Sequence, residues 1–399
     1  MRILQVIGST DPRSGGPIEC ALRSGEEWVR EGHKVEIVSL EAPSDVVGRE
    51  FPFPLIAAGR GIGKYGFNPR LTHWIRREAG RFDVVLLHGL WNYSSIGAWL
   101  GLRGRETPYY IFAHGMMDPW FRKEYPLKHL AKSMYWWLAE GRVLRDARAV
   151  LFTSVEEQER AHNAFPWHSF QEAVVPLGAA DPMSDAMQDK AAFFEACPAL
   201  SGRRYLLFMG RVHVKKGCDL LLEAFALRLA ALPPDVDLVI AGPDQVGWVT
   251  ELKTIAKKLG IDERVHWPGM LTGARKWGAL RDAEAFILPS HQENFGIVVA
   301  EAMACGTPVL ISDKVNIWRE VVAAQAGIVK PDTLEGTAHL LQGWFALSDE
   351  NRARTRTRAR EGYLQYFDAK VAARKLLHAI SGTRPERKPL KSPKQAAHL

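Results

Sequence analysis

One local grammar occurs twice in this chain, and the repetition limits the folds open to it. At the start, a short apolar strand, Ile3 to Ile7, runs into the loop "GSTDPRSGG". A helix follows from about Pro17 and stops at Gly32, and "HKVEIVSL" then reads as a second strand. Pro suits a first helical turn because its missing N–H would have no partner there. Gly is a favoured left-handed stop. Strand, loop, helix and strand in that order make the unit from which parallel sheets are built. Near residue 205 the pattern begins again. "RYLLFMG" is a strand, "RVHVKKG" a loop, "CDLLLEAFALRLA" an amphipathic helix and "DVDLVIAG" the next strand.

Each half continues in kind. The first supplies strands near 83–88, 108–114, 147–154 and 172–178, and the second supplies "ERVHWPG", "AEAFILPS", "TPVLIS" and "AGIVK". Ser154 and Glu157 have capping-box spacing for a helix. Between the halves, residues 179–204 carry Gly, Pro, Asp and Ser without a clear strand and read as a linker. A chain of 399 residues is long for one core, so two domains are expected. The fold class is α/β: two doubly wound, Rossmann-like sheets facing a cleft lined by their strand carboxyl ends, where such sheets bind ligands. "AAGRGIGKYG" at 57–66 contains close glycines, but no strand is read before it, so it is taken as a loop and not a dinucleotide fingerprint.

Composition excludes some classes. No stretch approaches the roughly 20 apolar residues that cross a bilayer. The N-terminus turns polar at Gly8, too early for a signal peptide. Cys20, Cys197, Cys218 and Cys305 form no C-x-x-C pair, so neither a zinc site nor a disulfide framework is expected. A reducing, cytoplasmic setting fits them. The net charge of +7 favours anionic partners. Part of it lies in the polar, Pro-containing tail 381–399, which reads as disordered.

Two constellations carry chemistry. "HQENFGIVVAEAMACGTPVL", 291–310, follows a strand and holds Glu293 and Glu301, eight residues apart. Gly296 is expected to open a helix that ends at Gly306, with Pro308 beyond it. The first-turn N–H groups of that helix lack partners and its dipole is positive there, which suits phosphate. Glu301 falls inside an apolar run, and burying a carboxylate without partners is costly. A pair of sugar hydroxyls would satisfy it, as the acidic residue does in dinucleotide sites. The structural alternatives are a capping Glu293 and an ion-paired Glu301. The second constellation is "MGRVHVKKG", 209–217, also after a strand. Arg211 offers a planar fork of donors and Lys216 a compact charge, both placed for a diphosphate. Lys215 is adjacent.

Together, "MGRVHVKKGCDLLLEAF" and "PSHQENFGIVVAEAMACGTPVL" resemble the C-terminal signature of the family 4 retaining glycosyltransferases, also called glycosyl transferases group 1. The likeness extends to "GSTDPRSGGPIE", "EGHKVEIVS" and "FAHGMMDPWF", and so covers nearly the whole chain before the tail. It implies the two-domain GT-B architecture. Residues 1–178 would be the acceptor-side domain, 179–204 the linker, 205–365 the nucleotide-sugar domain and 366–380 a helix returning towards the first domain. It implies a nucleoside-diphosphate sugar as donor substrate and no metal or other cofactor; no Asp-x-Asp is read as a metal motif. Arg211 and Lys216 would hold the diphosphate, Glu293 the transferred sugar and Glu301 the ribose. Asn294, Phe295 and Gly296 would face sugar and diphosphate through their backbone. Gly15 and Gly16 would line the cleft from the first domain, and His114 would stand near the sugar and the incoming acceptor. His88 is a second candidate at a neighbouring strand end, and His33 is structural. One departure is Leu177–Gly178, where many relatives carry Asn–Gly, so no polar contact is expected from position 177.

The resemblance implies transfer of a hexose, with retention, to a hydroxyl of a glycan or lipid-linked acceptor in surface-polysaccharide or glycolipid synthesis. Nucleic acid is not expected as a partner. A non-catalytic binder of anionic polymers or membranes is the alternative from charge alone, and a sugar phosphorylase a third. Residues 121–149 mix basic and aromatic side chains, with Leu127, Leu130, Met134, Trp137 and Leu144 near helical spacing. Packed on its own domain, this helix is structural. Turned outward, it is an interfacial face for an anionic membrane at the inner side of the cell envelope.

Overall fold

A computed structural model describes residues 1–12, 15–119, 126–162, 164–165, 169–182 and 184–381. The tail expected to be disordered lies outside the described residues, apart from Ser381.

The first sheet has seven strands: β1 (Arg2–Ile7), β2 (Lys34–Ser39), β3 (Leu55–Ala57), β4 (Val84–His88), β5 (Tyr109–Phe112), β6 (Val150–Phe152) and β7 (Glu172–Val174). Their spatial order is β3-β2-β1-β4-β5-β6-β7 and every pairing is parallel. The second has six: β8 (Arg204–Met209), β9 (Val236–Ala241), β10 (Val265–Gly269), β11 (Ala285–Leu288), β12 (Val309–Ser312) and β13 (Gly327–Lys330). Their order is β10-β9-β8-β11-β12-β13, again all parallel. Central strands such as β4, β9 and β11 are buried at every position. That is why they read as unbroken apolar runs rather than alternating ones.

Both sheets reverse their winding at the same place. In the first, β1 lies beside β4, and in the second, β8 lies beside β11. Loops leaving two such neighbours run to opposite sides and open a crevice at the carboxyl ends. The loops after β1, β8 and β11 carry Gly15 and Gly16, Arg211 and Lys216, and Glu293 to Gly296 respectively. His114 follows β5, one strand further along the first sheet.

Three details depart from the sequence reading. A strand, β3, does precede the glycines at 57–66. It was not legible because it is three residues long, half-buried and at the sheet edge after two prolines. The interval 179–204 contains a helix, Ala186–Ala196, started by the Asp185 carboxylate accepting from the Met187 and Gln188 N–H groups. This helix packs on the helix Gly273–Asp282 of the second half. A Cβ at Gly278 would stand 2.0 Å from the Asp189 carbonyl oxygen. Third, Ser154 caps as expected by accepting from the Glu157 N–H, but the Glu157 carboxylate does not return to its own cap residue. It is buried and accepts from the backbone N–H of Thr153 at 2.6 Å and of Gly115 at 2.5 Å. It therefore pins the loop that carries His114.

The chain crosses back at its end. Helix Ala369–Ser381 lies on helix Gly16–Arg30, with the buried Trp28 indole donating to the Ala373 carbonyl and Arg374 paired with Glu31. Leu177 is buried and apolar. Gly178 leaves room for this crossing, because a Cβ there would be 2.4 Å from the Ala369 Cα.

Candidate active site

The two loops at the second switch point are held against each other. Gly217 adopts φ +65°, and a side chain there would meet the Pro289 carbonyl at 2.4 Å. Only glycine permits both the backbone conformation and the approach. The result is an ion pair between the Lys216 ammonium and the Glu293 carboxylate, from the loops after β8 and β11. Lys216 is 9% exposed. Burial first, then repulsion from Arg211 and Lys215, pulls its ammonium down to about 7. Lys215 is drawn down to about 8, again by burial first, and Asp118 of the first domain works against that. Arg211 is exposed, with its guanidinium on the Gln245 side chain.

The loop holding Glu293 is backbone-braced. The Glu293 N–H donates to the Lys314 carbonyl, and its own carbonyl accepts from the Asn316 N–H, both at 3.0 Å. Gly296 then turns at φ 73° into helix Ile297–Ala304. Phe295 is buried edge-on to Phe367, so only its backbone can face the cleft. Glu301 is 3% exposed on the second turn of that helix. One carboxylate oxygen accepts from the Lys276 ammonium at 2.5 Å, and the other is buried with no hydrogen-bond partner among the described residues. Burial pushes its carboxyl upward, and Lys276 opposes this. Glu19 and Arg23, on the first domain's helix Gly16–Arg30, also act on its charge.

From the first domain, Gly15 and Gly16 open that helix, and a Cβ at either would meet nothing within 4 Å. The loop before them is anchored by the buried Glu41, which accepts from the Ser9 hydroxyl, both Thr10 donors and Arg49. His114 has φ +48°, which is rare for a non-glycine residue. Such strain persists where surroundings over-determine it, often at functional sites. Here the ring stacks on Phe112 and on His88, and it is hydrogen-bonded to the His88 ring at 3.1 Å. Burial lowers His114 to about 3, and burial, then His114, lowers His88 well below its ordinary value.

The two domains touch beside this pocket. The Asn294 amide donates to the Thr153 hydroxyl at 3.2 Å, and a Cβ on Gly115 would stand 2.7 Å from the Asn294 Cβ. Arg319 pairs with Glu156 and Glu159. Asn294 thus spends its side chain on the domain contact, which leaves its backbone for any ligand.

Sequence reasoning missed Lys276, Gln5 and the Asn294–Thr153 contact. Each acts on a partner far along the chain, so no local motif marks it. It also passed over Asp235-Val236-Asp237, which has Asp-x-Asp spacing. The structure puts it at the amino end of β9, away from the cleft edge. Asp235 is paired with Arg204, and Asp237 with Arg203, Arg264 and His266. Among the described residues, Cys20, His88 and His114 have ligand-type atoms within 4.8 Å of one another. The two rings are hydrogen-bonded to each other, and burial holds the thiol far above its ordinary range.

Comparisons with known proteins bear on the whole chain. Residues 189–362 match the model of the glycosyl transferases group 1, and residues 15–178 match that of a glycosyl transferase 4-like domain. A D-inositol 3-phosphate glycosyltransferase of Mycobacterium sp. (strain KMS) is 30% identical over 325 residues, 74% of this chain and 70% of that protein. Against three other curated relatives of that description the aligned segments span 31%, 27% and 40% of the relative's length. Among solved structures, HepE from Anabaena in complex with UDP and glucose superposes with a TM-score of 0.76 at 17% identity, covering 96% of this chain and 99% of that one. WaaG, a glycosyltransferase involved in lipopolysaccharide biosynthesis, gives 0.68 at 17% identity, covering 96% and 100%. The chain belongs to the group 1, family 4 glycosyltransferases and has their GT-B fold.

Proposed function

We propose that this glycosyltransferase moves a hexose from a nucleoside-diphosphate sugar to a hydroxyl of a glycan or lipid-linked acceptor, with retained anomeric configuration. The observation that carries the reading is Glu301: a buried carboxylate whose second oxygen has no partner among the described residues, on the helix whose first turn faces the cleft edge. Ribose hydroxyls would supply the missing donors. Arg211, Lys216 and the N–H groups after Gly296 would take the diphosphate, and Glu293 the sugar. As the bond to the diphosphate breaks, negative charge grows on the leaving oxygen, so preorganised cations and N–H donors there lower the barrier. The leaving phosphate itself would take the acceptor proton, and His114 would touch the sugar or the acceptor. That HepE is described in complex with UDP, and separately with UDP-glucose, supports this class of donor.

Cations of the chain replace a metal in this reading. Turnover should persist in a chelator. Complete loss in EDTA with restoration by Mn²⁺ or Mg²⁺ would reject it.

The lowered Lys216 gives a signed pH dependence. The diphosphate favours the ammonium, whose value in the free protein is about 7. Binding above pH 7 should therefore take up a proton, and affinity should fall as pH rises from 7 to 9. Calorimetry in buffers of different ionisation enthalpy reads this directly. Proton release, or none, would contradict it.

The acceptor side favours a membrane. A continuous helical run covers Pro126–Tyr135, a π-turn Trp136–Glu140 and Gly141–Asp146. Leu144 packs inside as one reading expected, but Leu130, Met134, Trp137 and Leu138 are 50–70% exposed. The Leu127 side chain lies outside the described residues. Four exposed apolar side chains at i, i+4, i+7 and i+8, followed by the exposed Arg142, suit an interfacial face. Among the described residues no helix is long and apolar enough to cross a membrane. We place the enzyme in the cytoplasm, docking on the inner leaflet during surface-polysaccharide or glycolipid synthesis. It should float with anionic liposomes at low salt, and Trp137→Ser with Met134→Ser should reduce flotation several-fold. Equal flotation of wild type and variant would remove the helix from the contact.

A further inference from the structure

A chain of three polar side chains runs beneath the cleft of the first domain, from the interior to its surface. Gln5 lies in β1 and is fully buried. Its amide nitrogen donates to the Ala21 carbonyl at 2.9 Å. A carbonyl oxygen can only accept, so this bond fixes which end of the amide is nitrogen. The Gln5 oxygen then faces the His88 Nε2 at 2.9 Å. An amide oxygen also only accepts, so His88 Nε2 must carry hydrogen. A neutral imidazole has one N–H, which leaves His88 Nδ1 as an acceptor. Nδ1 lies 3.1 Å from His114 Nε2, so His114 must donate from Nε2. The remaining nitrogen, His114 Nδ1, is left bare. It has no hydrogen-bond partner among the described residues.

We infer that Gln5 and His88 are positioning residues that hold His114 in the Nε2–H tautomer, so that its Nδ1 accepts a hydrogen bond from a hydroxyl of the bound sugar or acceptor. Burial of both rings keeps them neutral, so the chain of donors does not reverse. Stacking between Phe112, His88 and His114 fixes the planes, and the left-handed backbone at His114 sets the approach. The three elements are β1, β4 and the loop after β5, adjacent strands at the first switch point. A bare ring nitrogen selects a hydroxyl over an anionic oxygen. It therefore separates the substrate's hydroxyl face, on the His114 side, from its diphosphate, on the Arg211 side.

The role of the tautomer in transfer rests on the proposed function, but its existence does not. The first test therefore needs no substrate. Nitrogen–proton correlation spectra of ¹⁵N-histidine-labelled protein, assigned with His88→Asn and His114→Asn, report which ring nitrogens carry hydrogen. The expected result is Nε2–H at both residues with no titration between pH 5.5 and 8. Hydrogen on His114 Nδ1, or a charged His114 in that range, would overturn the inference even if donor binding were normal. The second test uses Gln5→Leu, with Gln5→Met, which keeps the side-chain length, as the milder change should the first fail to fold. With the correct donor and acceptor, kcat should fall about tenfold or more while donor KM stays within about twofold, as expected when an imidazole loses its orienting partner. His114 should then show both tautomers. Unchanged tautomers together with unchanged kcat would also overturn it.

Discussion

Glu293→Gln is expected to lower kcat by about 10²- to 10³-fold, the range seen when a group stabilising the transition state is removed. The fold should survive. The Glu293 side chain is 22% exposed, and its loop is held by backbone bonds that a glutamine keeps. What the change removes is charge. In the free protein Glu293 pairs with the Lys216 ammonium, and in the proposed reaction it would face the sugar whose bond to the diphosphate is breaking. A glutamine still accepts a hydrogen bond but does not favour positive charge developing on the sugar. His114→Ala should fall in the same range from the opposite wall of the cleft. Circular dichroism must show both variants folded. Near-wild-type turnover by either, with the correct donor and acceptor, would remove that residue from the chemistry.

Glu301→Ala is expected to weaken binding of the nucleoside diphosphate alone by about 10- to 100-fold, since hydrogen bonds to a charged group contribute roughly 1.5–3 kcal/mol. The sugar is absent from this ligand, so the experiment isolates the ribose end. Removing the carboxylate also leaves the Lys276 ammonium without its partner. Lys276→Met reports that contribution separately and should change affinity less. Calorimetry measures all three proteins. Equal affinity of wild type and Glu301→Ala would mean the carboxylate serves only the ion pair. The same titrations followed by small-angle scattering should show compaction at saturating donor and acceptor analogue, because Gly15, Gly16 and His114 lie on one domain and Arg211, Lys216, Glu293 and Glu301 on the other. Unchanged dimensions would argue that the contacts of Asn294 with Thr153 and of Arg319 with Glu156 already define the working state.

Much of this was legible in the sequence because parallel strands buried on both faces leave continuous apolar runs, and their helices begin and end at Pro and Gly. The switch-point loops were legible too, since both carry charge at the end of such runs. What escaped notice has no local signature. β3 is too short to make a run. Helix Ala186–Ala196 follows a Pro- and Asp-rich stretch that reads as loop, although Asp185 is a capping residue in the right place. Lys276 meets Glu301 only because the helix Gly273–Asp282 lies beside the helix Ile297–Ala304. Glu157 looks like half of a capping box, yet its carboxylate reaches Gly115, 42 residues away. Gln5 is a single polar residue in an apolar strand, and its meaning depends on two histidines more than 80 residues later.

In the proposed reading the loops after β8 and β11 hold a nucleoside diphosphate. A ligand that binds only the folded state stabilises it by mass action, by about 2.7 kcal/mol at a hundred times its Kd. For domains of this size each kcal/mol raises Tm by about 2–4 °C. A thermal-shift series should therefore compare the common nucleoside diphosphates on wild type and on Arg211→Ala with Lys216→Ala. At least one nucleoside diphosphate should raise the wild-type Tm by several degrees, the matching nucleoside should not, and the double variant should lose the shift. No shift with any nucleoside diphosphate at millimolar concentration, or an equal shift in the double variant, would contradict it.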